Sequence, residues 1–488
     1  MRIAAVVAGC VAALAIAICP GQTRPAGAVE DLAALAQNAR NALLADRFDE
    51  AIGLYQRLVQ ALPAEPGARL NLAMALHSAG RYKESVAQLE RLRVSQAANA
   101  RFWFLLGVGY LKLEQPGKAV EPLERAVRLD ASYLPNRIEL AGALLESGSL
   151  EKAEAAFRAL TNDEPGLPKA WQGLAVTRLE LSREASDALD RLAPDSSFRY
   201  ALAALAAAGQ GDREQARALY RKALAAAPAA PWLEAELAAL SDGVKPGQDA
   251  RPAAGHPLAL AFFSGEPERV LALSPRPRDP EALYWRSRAY AELARGAVER
   301  LASLPPSAER HELLAAALQR AGRRAEAVAE WREASRMSPA DRRIRGELAR
   351  SLRLNRQYDE AAPLLEELTR LDPARAEWQF ELGDCLVNQG RPEQALGRLS
   401  RACELQPGLL AAQALLGQVL LQSGDAQAAV AHLEKAAPLD RDGSIHFQLA
   451  SAYRSLGKPE LARQALARQR ELKAATGTRG GGGMAEAR

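Results

Sequence analysis

The sequence predicts an all-α solenoid of stacked helix–turn–helix hairpins, arranged as two arrays joined by a degenerate central segment. Three observations carry the prediction. A small residue returns about every 34 positions in both halves of the 488-residue chain. A helix-breaking turn sits near the middle of many of these units. Between breakers, apolar residues recur at three- and four-residue steps with no sustained two-residue alternation, which is the period of a helix and not of a strand. Composition agrees: 48% hydrophobic and 25% charged with only 5% aromatic residues suits helices around a large core better than a β-sandwich.

The first segment, residues 1–28, reads as a secretory signal peptide. Arg2 precedes an apolar stretch from Ile3 to Ile18, Pro20 breaks it, and Ala26-Gly27-Ala28 offers a small-x-small site before Val29. The stretch is short for a membrane span, which needs about 20 residues, so the mature chain is expected to have no span. Whether the segment is cleaved or kept as an anchor stays open. The expected compartment is the periplasm or exterior of a bacterium, with envelope association as a variant. Loss of Arg2 and Arg24 would take the net charge from +4 to +2.

The N-terminal array occupies residues 29–230. Its small residues are Ala51, Ser85, Ala119 and Ala153, each 34 from the next. The unit opening at Pro168 is short, ended by Pro194, and a fair unit follows with Tyr200, Gly211, Ala216 and Tyr220. Residues 231–306 lose the pattern. Val244–Pro257 reads as a Pro/Gly loop, while Leu258–Leu273 and Glu281–Leu304 still look helical; two degenerate hairpins and a mobile, hinge-like loop are expected. The C-terminal array, residues 307–475, resumes at Ala327, Ala361, Ala395, Ala429 and Ala462, at steps of 34, 34, 34 and 33. Its last helix is polar on the outside, as a cap should be. Residues 476–488, with four consecutive glycines, read as a disordered tail.

Turns such as Gly80-Arg81, Gly148-Ser149, Gly322-Arg323 and Gly390-Arg391-Pro392 split each unit into two helices. Trp103, Leu106, Gly107 and Tyr110 stand before one turn, and Ala119, Leu123 and Ala126 after it. Leu140, Ala141, Ala153, Phe157 and Pro165 repeat the scheme, as do Leu382, Gly383, Gly390, Ala395, Leu399, Ala402 and Pro407. These units resemble tetratricopeptide repeats. The resemblance covers about Leu32–Pro228 and Ser307–Ala475. It implies a right-handed superhelix whose small residues let helices cross closely, whose concave face is lined by the first helix of each hairpin, and whose partners are proteins or peptides.

Chemistry is sought and not found. The chain has no Gly-rich phosphate loop, no His-Glu-x-x-His, no paired-cysteine zinc pattern and no nucleophile elbow. His77, His256, His311, His432 and His446 are scattered. No cofactor and no metal are expected. A net charge of +4 with no basic run argues against nucleic acid. Cys385 and Cys403, on either side of the Gly390 turn, sit at heights differing by about 12 Å on their helices, beyond the roughly 7 Å a disulfide tolerates, so both are read as small buried residues.

Helical phase selects the inner-face candidates. In the N-terminal array these are Leu70, Met74, Phe104, Val108, Leu111, Ile138 and Leu145. One reading is a surface for an apolar, helical partner segment; the other is that the same side chains pack between hairpins. In the C-terminal array the candidates are Arg350, Arg353, Phe380, Asp384, Gln418, Phe447, Ser451 and Arg454, a polar surface for a peptide whose acidic group faces Arg350 and Arg353. Glu139, Glu312 and Glu381 stand where the resembling carboxylate-clamp proteins need basic or amide groups. The function expected is a non-catalytic protein-interaction scaffold of the cell envelope. The alternative is an envelope enzyme or enzyme subunit with active residues in the central segment, near His256 and Glu266. Self-association through exposed array ends is a third option.

Overall fold

The protein was analysed as a computed structural model that describes residues 26–227, 231–242, 256–275 and 279–481. Among these there are 25 α-helices and no strand. The chain forms two compact units, divided between Pro305 and Pro306. Most of the expected signal segment 1–28, most of the expected loop (243–255) and the end of the expected tail (482–488) lie outside the described residues.

The first unit opens with four hairpins: α1 (Ala26–Leu44) with α2 (Phe48–Ala61), α3 (Pro66–Ser78) with α4 (Tyr82–Glu90), α5 (Ala100–Lys112) with α6 (Pro116–Leu129), and α7 (Leu134–Glu146) with α8 (Leu150–Asp163). The expected signal boundary at Ala28 falls inside α1. The second unit has five: α16 (Ala308–Arg320) with α17 (Arg324–Met337), α18 (Arg342–Leu354) with α19 (Tyr358–Leu371), α20 (Ala376–Asn388) with α21 (Pro392–Leu405), α22 (Leu410–Gln422) with α23 (Ala426–Ala436), and α24 (Ser444–Ser455) with α25 (Pro459–Gly481). α25 continues past Ala475, where a disordered tail was expected. Once a helix exists, each added residue contributes a hydrogen bond without a new nucleation penalty.

Local chemistry explains the boundaries. Asn99 caps α5 by accepting from the Phe102 amide at 3.2 Å, and Asp341 caps α18 by accepting from Arg343 and Ile344. Proline opens α6 and α21, where its missing N–H is harmless. The turn between the two helices of a hairpin places one residue in the left-handed region. Glycine fills it at 80, 148, 322, 390 and 424, but Asp46, Glu114 and Arg356 adopt the same conformation at φ of 57°, 56° and 61°. Those three turns were not legible from glycine alone.

Small residues mark close helix crossings. A Cβ on Gly107 would lie 2.5 Å from the Leu123 Cγ, and one on Gly383 would lie 2.7 Å from Leu399, so a side chain there must displace the leucine or the helix that carries it. A second device recurs in several hairpins and ties the first helix to the loop that precedes it. Trp103 donates its indole N–H to the Ala97 carbonyl six residues upstream at 2.9 Å. Gln379 and Gln413 donate to the Pro373 and Pro407 carbonyls at 3.2 and 3.1 Å. Glutamine thus makes the bond that tryptophan makes elsewhere.

Apart from one further hairpin over 197–226, turned at Gly211 as expected, the rest of the first unit departs from the repeat. The segment opening at Pro168 is not a shortened hairpin but one 25-residue helix, α9 (Pro168–Leu192). No breaker interrupts the good helix formers from Arg178 to Leu192, so the helix does not turn back. α10 (Ser197–Gly209), α11 (Arg213–Ala226) and α12 (Pro231–Asp242) follow. A short hairpin, α13 (Pro257–Phe263) and α14 (Pro267–Leu273), precedes a 24-residue helix, α15 (Pro280–Ser303). Of the two degenerate hairpins expected across 231–306, one is this short hairpin and the other is a single long helix.

α15 returns to pack along α9. Ser182 Oγ donates to the Ser287 carbonyl at 2.8 Å, Ser287 Oγ donates back to the Ser182 carbonyl at 2.9 Å, and Arg178 donates to the Leu293 carbonyl at 3.2 Å. As one residue number rises its partner falls, so the pair is antiparallel. The segment between α9 and α15 is therefore bracketed by two bonded helices. Its core is aromatic: Trp232, Tyr284 and Trp285 are almost wholly buried. Arg288 lies against the rings of Phe262, Tyr284 and Trp285 and pairs with the buried Glu236, which compensates both charges for their loss of water.

Candidate functional site

Within each unit the first helices touch one another directly: α3, α5, α7 and α9 in sequence, and α18, α20, α22 and α24 in sequence. Side chains at equal repeat positions therefore share a surface. The two units use that surface differently.

In the first unit, Leu70, Met74 and Val108 are 8%, 6% and 8% exposed. Leu70 and Met74 belong to a core with Val86, Leu89, Phe102 and Trp103. The expected open apolar surface is thus corrected at these three positions: neighbouring helices lie close enough for their side chains to bury one another. Gly109 shows how close, since a Cβ there would lie 2.7 Å from Val86. Phe104 is half-buried, packs against two successive cores and meets Tyr133 edge-on at 5.9 Å. Leu111, Ile138 and Leu145 are also half-buried. His77, on α3, is buried against the Tyr82 ring. Burial, with a smaller contribution from Lys112, holds its imidazole down at about 4.

In the second unit the same surface is laced with ion pairs. Arg343 reaches Glu312 at 2.6 Å, Arg350 reaches Glu381 at 2.8 Å, and Arg353 reaches Asp384 at 2.6 Å. Each pair spans 31 residues, one repeat less about one helical turn. The two arginines expected to await a partner's acid already hold acids of their own chain. Sequence reasoning saw Glu312 and Glu381 as acidic positions and missed their pairing. Opposite charges 31 residues apart in a 34-residue repeat were the available signal. Glu381 is 3% exposed; burial lifts its carboxyl above the usual carboxylate value, against the pull of Arg350 and Arg353. Arg353 also sits 5.8 Å from the centre of the half-buried Phe380 ring.

The lattice of pairs stops after α20. On α24, Phe447 is 52% exposed. Arg454 is exposed, donates only to the Ala450 carbonyl of its own helix at 3.3 Å, and meets no carboxylate among the described residues.

The residues considered for chemistry are not brought together. His256 faces Glu281 at 3.4 Å and Trp232, whereas Glu266 pairs with Arg269 on the surface. His311 meets Glu330, His432 meets Gln413, and His446 meets Asp440, each at 2.6 Å. Among the described residues no three His, Cys, Asp or Glu side chains converge on a metal-sized site, and no helix is long and apolar enough to cross a membrane. A cleft of about 400 Å³ between α8, α9, α14 and α15 is lined by Glu154, Arg178, Arg286 and Tyr290, but these groups satisfy one another, Arg178 with Glu154 at 3.0 Å and Arg286 with the Tyr290 hydroxyl at 3.1 Å. Cys385 and Cys403 are buried free thiols, pushed up to about 12 and about 11 chiefly by burial.

Hairpins stacked through first-helix contacts, with a continuous side-chain surface along those helices, define a helical repeat scaffold. Profiles described as tetratricopeptide repeat match residues 42–107, 110–176, 199–229, 313–363, 347–409, 380–444 and 443–475. The chain belongs to the tetratricopeptide-repeat family. Human protein O-mannosyl-transferase TMTC1 is 26% identical over 132 residues, which is 26% of this chain; the chain spans 15% of that relative's length. Among solved structures, MamA (residue 41 to the end) from Desulfovibrio magneticus RS-1 is 19% identical over 34% of this chain and 96% of its own, with a TM-score of 0.32. The tetratricopeptide-repeat protein TTC0263 from Thermus thermophilus is 23% identical over 34% and 91%, with a TM-score of 0.29. The Cut9–Hcn1 hetero-tetramer chain is 15% identical over 91% and 87%, with a TM-score of 0.32.

Proposed function

We propose that this chain is an exported, non-catalytic adaptor that binds a peptide or protein segment along the first-helix surface of its second unit. One observation carries the reading: α18, α20, α22 and α24 form a contiguous surface on which Phe380, Asp384, Phe447 and Arg454 remain accessible beside the Arg350 and Arg353 pairs. Such a surface recognises partners by shape, aromatic contact and exchangeable charge. The corresponding surface of the first unit is a weaker candidate, because Leu70, Met74 and Val108 are core and only Phe104 and its half-buried neighbours remain. Export rests on the sequence of residues 1–28 alone. The enzyme alternative would need convergent groups in residues 231–306, and His256 and Glu266 there have separate partners.

Crosslinking from a native envelope, with the chain as bait and mass spectrometry as the readout, tests the proposal. One or two stoichiometric proteins captured by the wild-type chain, and lost with Phe380→Asp or Asp384→Arg, are the expected result. Capture unchanged by both substitutions would move the binding surface elsewhere.

A further inference from the structure

We infer that the binding element of the second unit is α24, and that it takes an extended peptide carrying an apolar side chain and, three residues away, a carboxylate. The inference rests on the groove-binding reading above and specifies its ligand. Most of the remaining surface has already used its charges. Across α16, α18 and α20, the charged groups Glu312, Arg343, Arg350, Glu381, Arg353 and Asp384 pair within the chain. A ligand there competes with a charged partner of the same chain. At α24 the same surface presents an aromatic ring that is 52% exposed and a guanidinium with no carboxylate partner among the described residues. Aromatic residues and arginine are enriched at protein interfaces, and the guanidinium's charge calls for an acid.

Spacing sets the ligand. Phe447 and Arg454 are seven residues apart on one helix, two turns, or about 10.5 Å along the axis. A polyproline II segment returns side chains to one face every three residues, about 9.3 Å. A β-strand returns them at about 6.8 or 13.6 Å, which matches less well. Between the two anchors stands Ser451, with Gln418 on the neighbouring α22, both half-buried and polar. An extended ligand carries unpaired backbone groups that such side chains can serve, whereas a helical ligand satisfies its own backbone.

The test is fluorescence anisotropy with fluorescein-labelled, proline-rich decapeptides titrated against the full chain. A leucine is fixed and a glutamate is placed two, three, four, five or seven residues beyond it. The tightest binding is expected at three, at least ten-fold above two or four. Arg454→Glu should weaken that peptide at least ten-fold and should restore binding when lysine replaces its glutamate, a swap that a structural role of Arg454 would not produce. Phe447→Ala should weaken binding about ten-fold. An optimum at any spacing other than three would overturn the proposed ligand. Binding indifferent to Arg454→Glu but lost with Phe380→Ala overturns the α24 site and leaves the groove reading standing. No response to any substitution on the first-helix surface overturns both. A dimer that Phe447→Ala dissociates in sedimentation would make a second copy the occupant and would also overturn it.

Discussion

The first-helix surfaces of the two units solve one problem in opposite ways. Val108 in the first unit, and Arg350, Asp384 and Ser451 in the second, stand at the same place in their repeats. Val108 is 8% exposed, whereas Arg350 and Asp384 are paired across helices and remain partly in water. Apolar side chains close the surface by burying one another, and burial is irreversible short of unfolding. Ion pairs hold neighbouring helices in register yet can exchange partners with a ligand. An identical backbone repeat thus makes a wall in one unit and an open, charge-laced surface in the other, through side chains alone.

Placing a charge on the wall should break that contrast most strongly. Val108→Asp would bury an unpaired carboxylate and should destabilise the first unit by more than about 3 kcal/mol. Ser451→Asp, at the equivalent place on α24, should stay within about 0.5 kcal/mol. Hydrogen exchange resolved by peptide measures both, and equal effects would erase the distinction.

Acid should separate the units next. His77 is buried neutral with its pKa lowered to about 4, below the ordinary value near 6.5. Between those values the unfolded chain binds more protons than the folded one, so stability is full above about 6.5 and falls as the pH drops toward 4. The loss should reach about 3 kcal/mol. Denaturant melts at pH 7 and pH 4.5 read it, and His77→Gln should flatten the slope in the first unit.

A smaller effect tests the ion pairs. Arg353→Met leaves Asp384 without its main partner, and side chains that are 16% and 20% exposed place the expected loss at about 1–2 kcal/mol. Adding Asp384→Asn should recover part of it; additive losses would mean the pair contributes nothing.

The smallest effect is a gain. Arg356 holds a left-handed conformation at φ of 61° where other turns use glycine, so Arg356→Gly should stabilise the second unit by up to about 1 kcal/mol. A loss instead would show that the Arg356 side chain contributes more than its backbone strain removes.

The hairpins were legible in the amino-acid sequence without any structure. A 34-residue period, a turn within each unit and small residues at helix crossings are local signals, because every hairpin touches mainly its neighbours in the chain. The two buried cysteines and the position of the polar last helix were legible for the same reason. The candidate surface was legible as a set of positions, and Phe380, Asp384, Phe447 and Arg454 lie on it. Which of those positions stayed open was settled by packing between helices. Leu70, Met74 and Val108 were open to two readings, groove surface or packing between hairpins, and are buried once the adjacent helix arrives. Packing likewise gave Arg350 and Arg353 their partners, Glu381 and Asp384. It also closed α15 onto α9, through contacts 105 and 115 residues apart, a distance no repeat period encodes and only the packing of apolar faces in three dimensions selects.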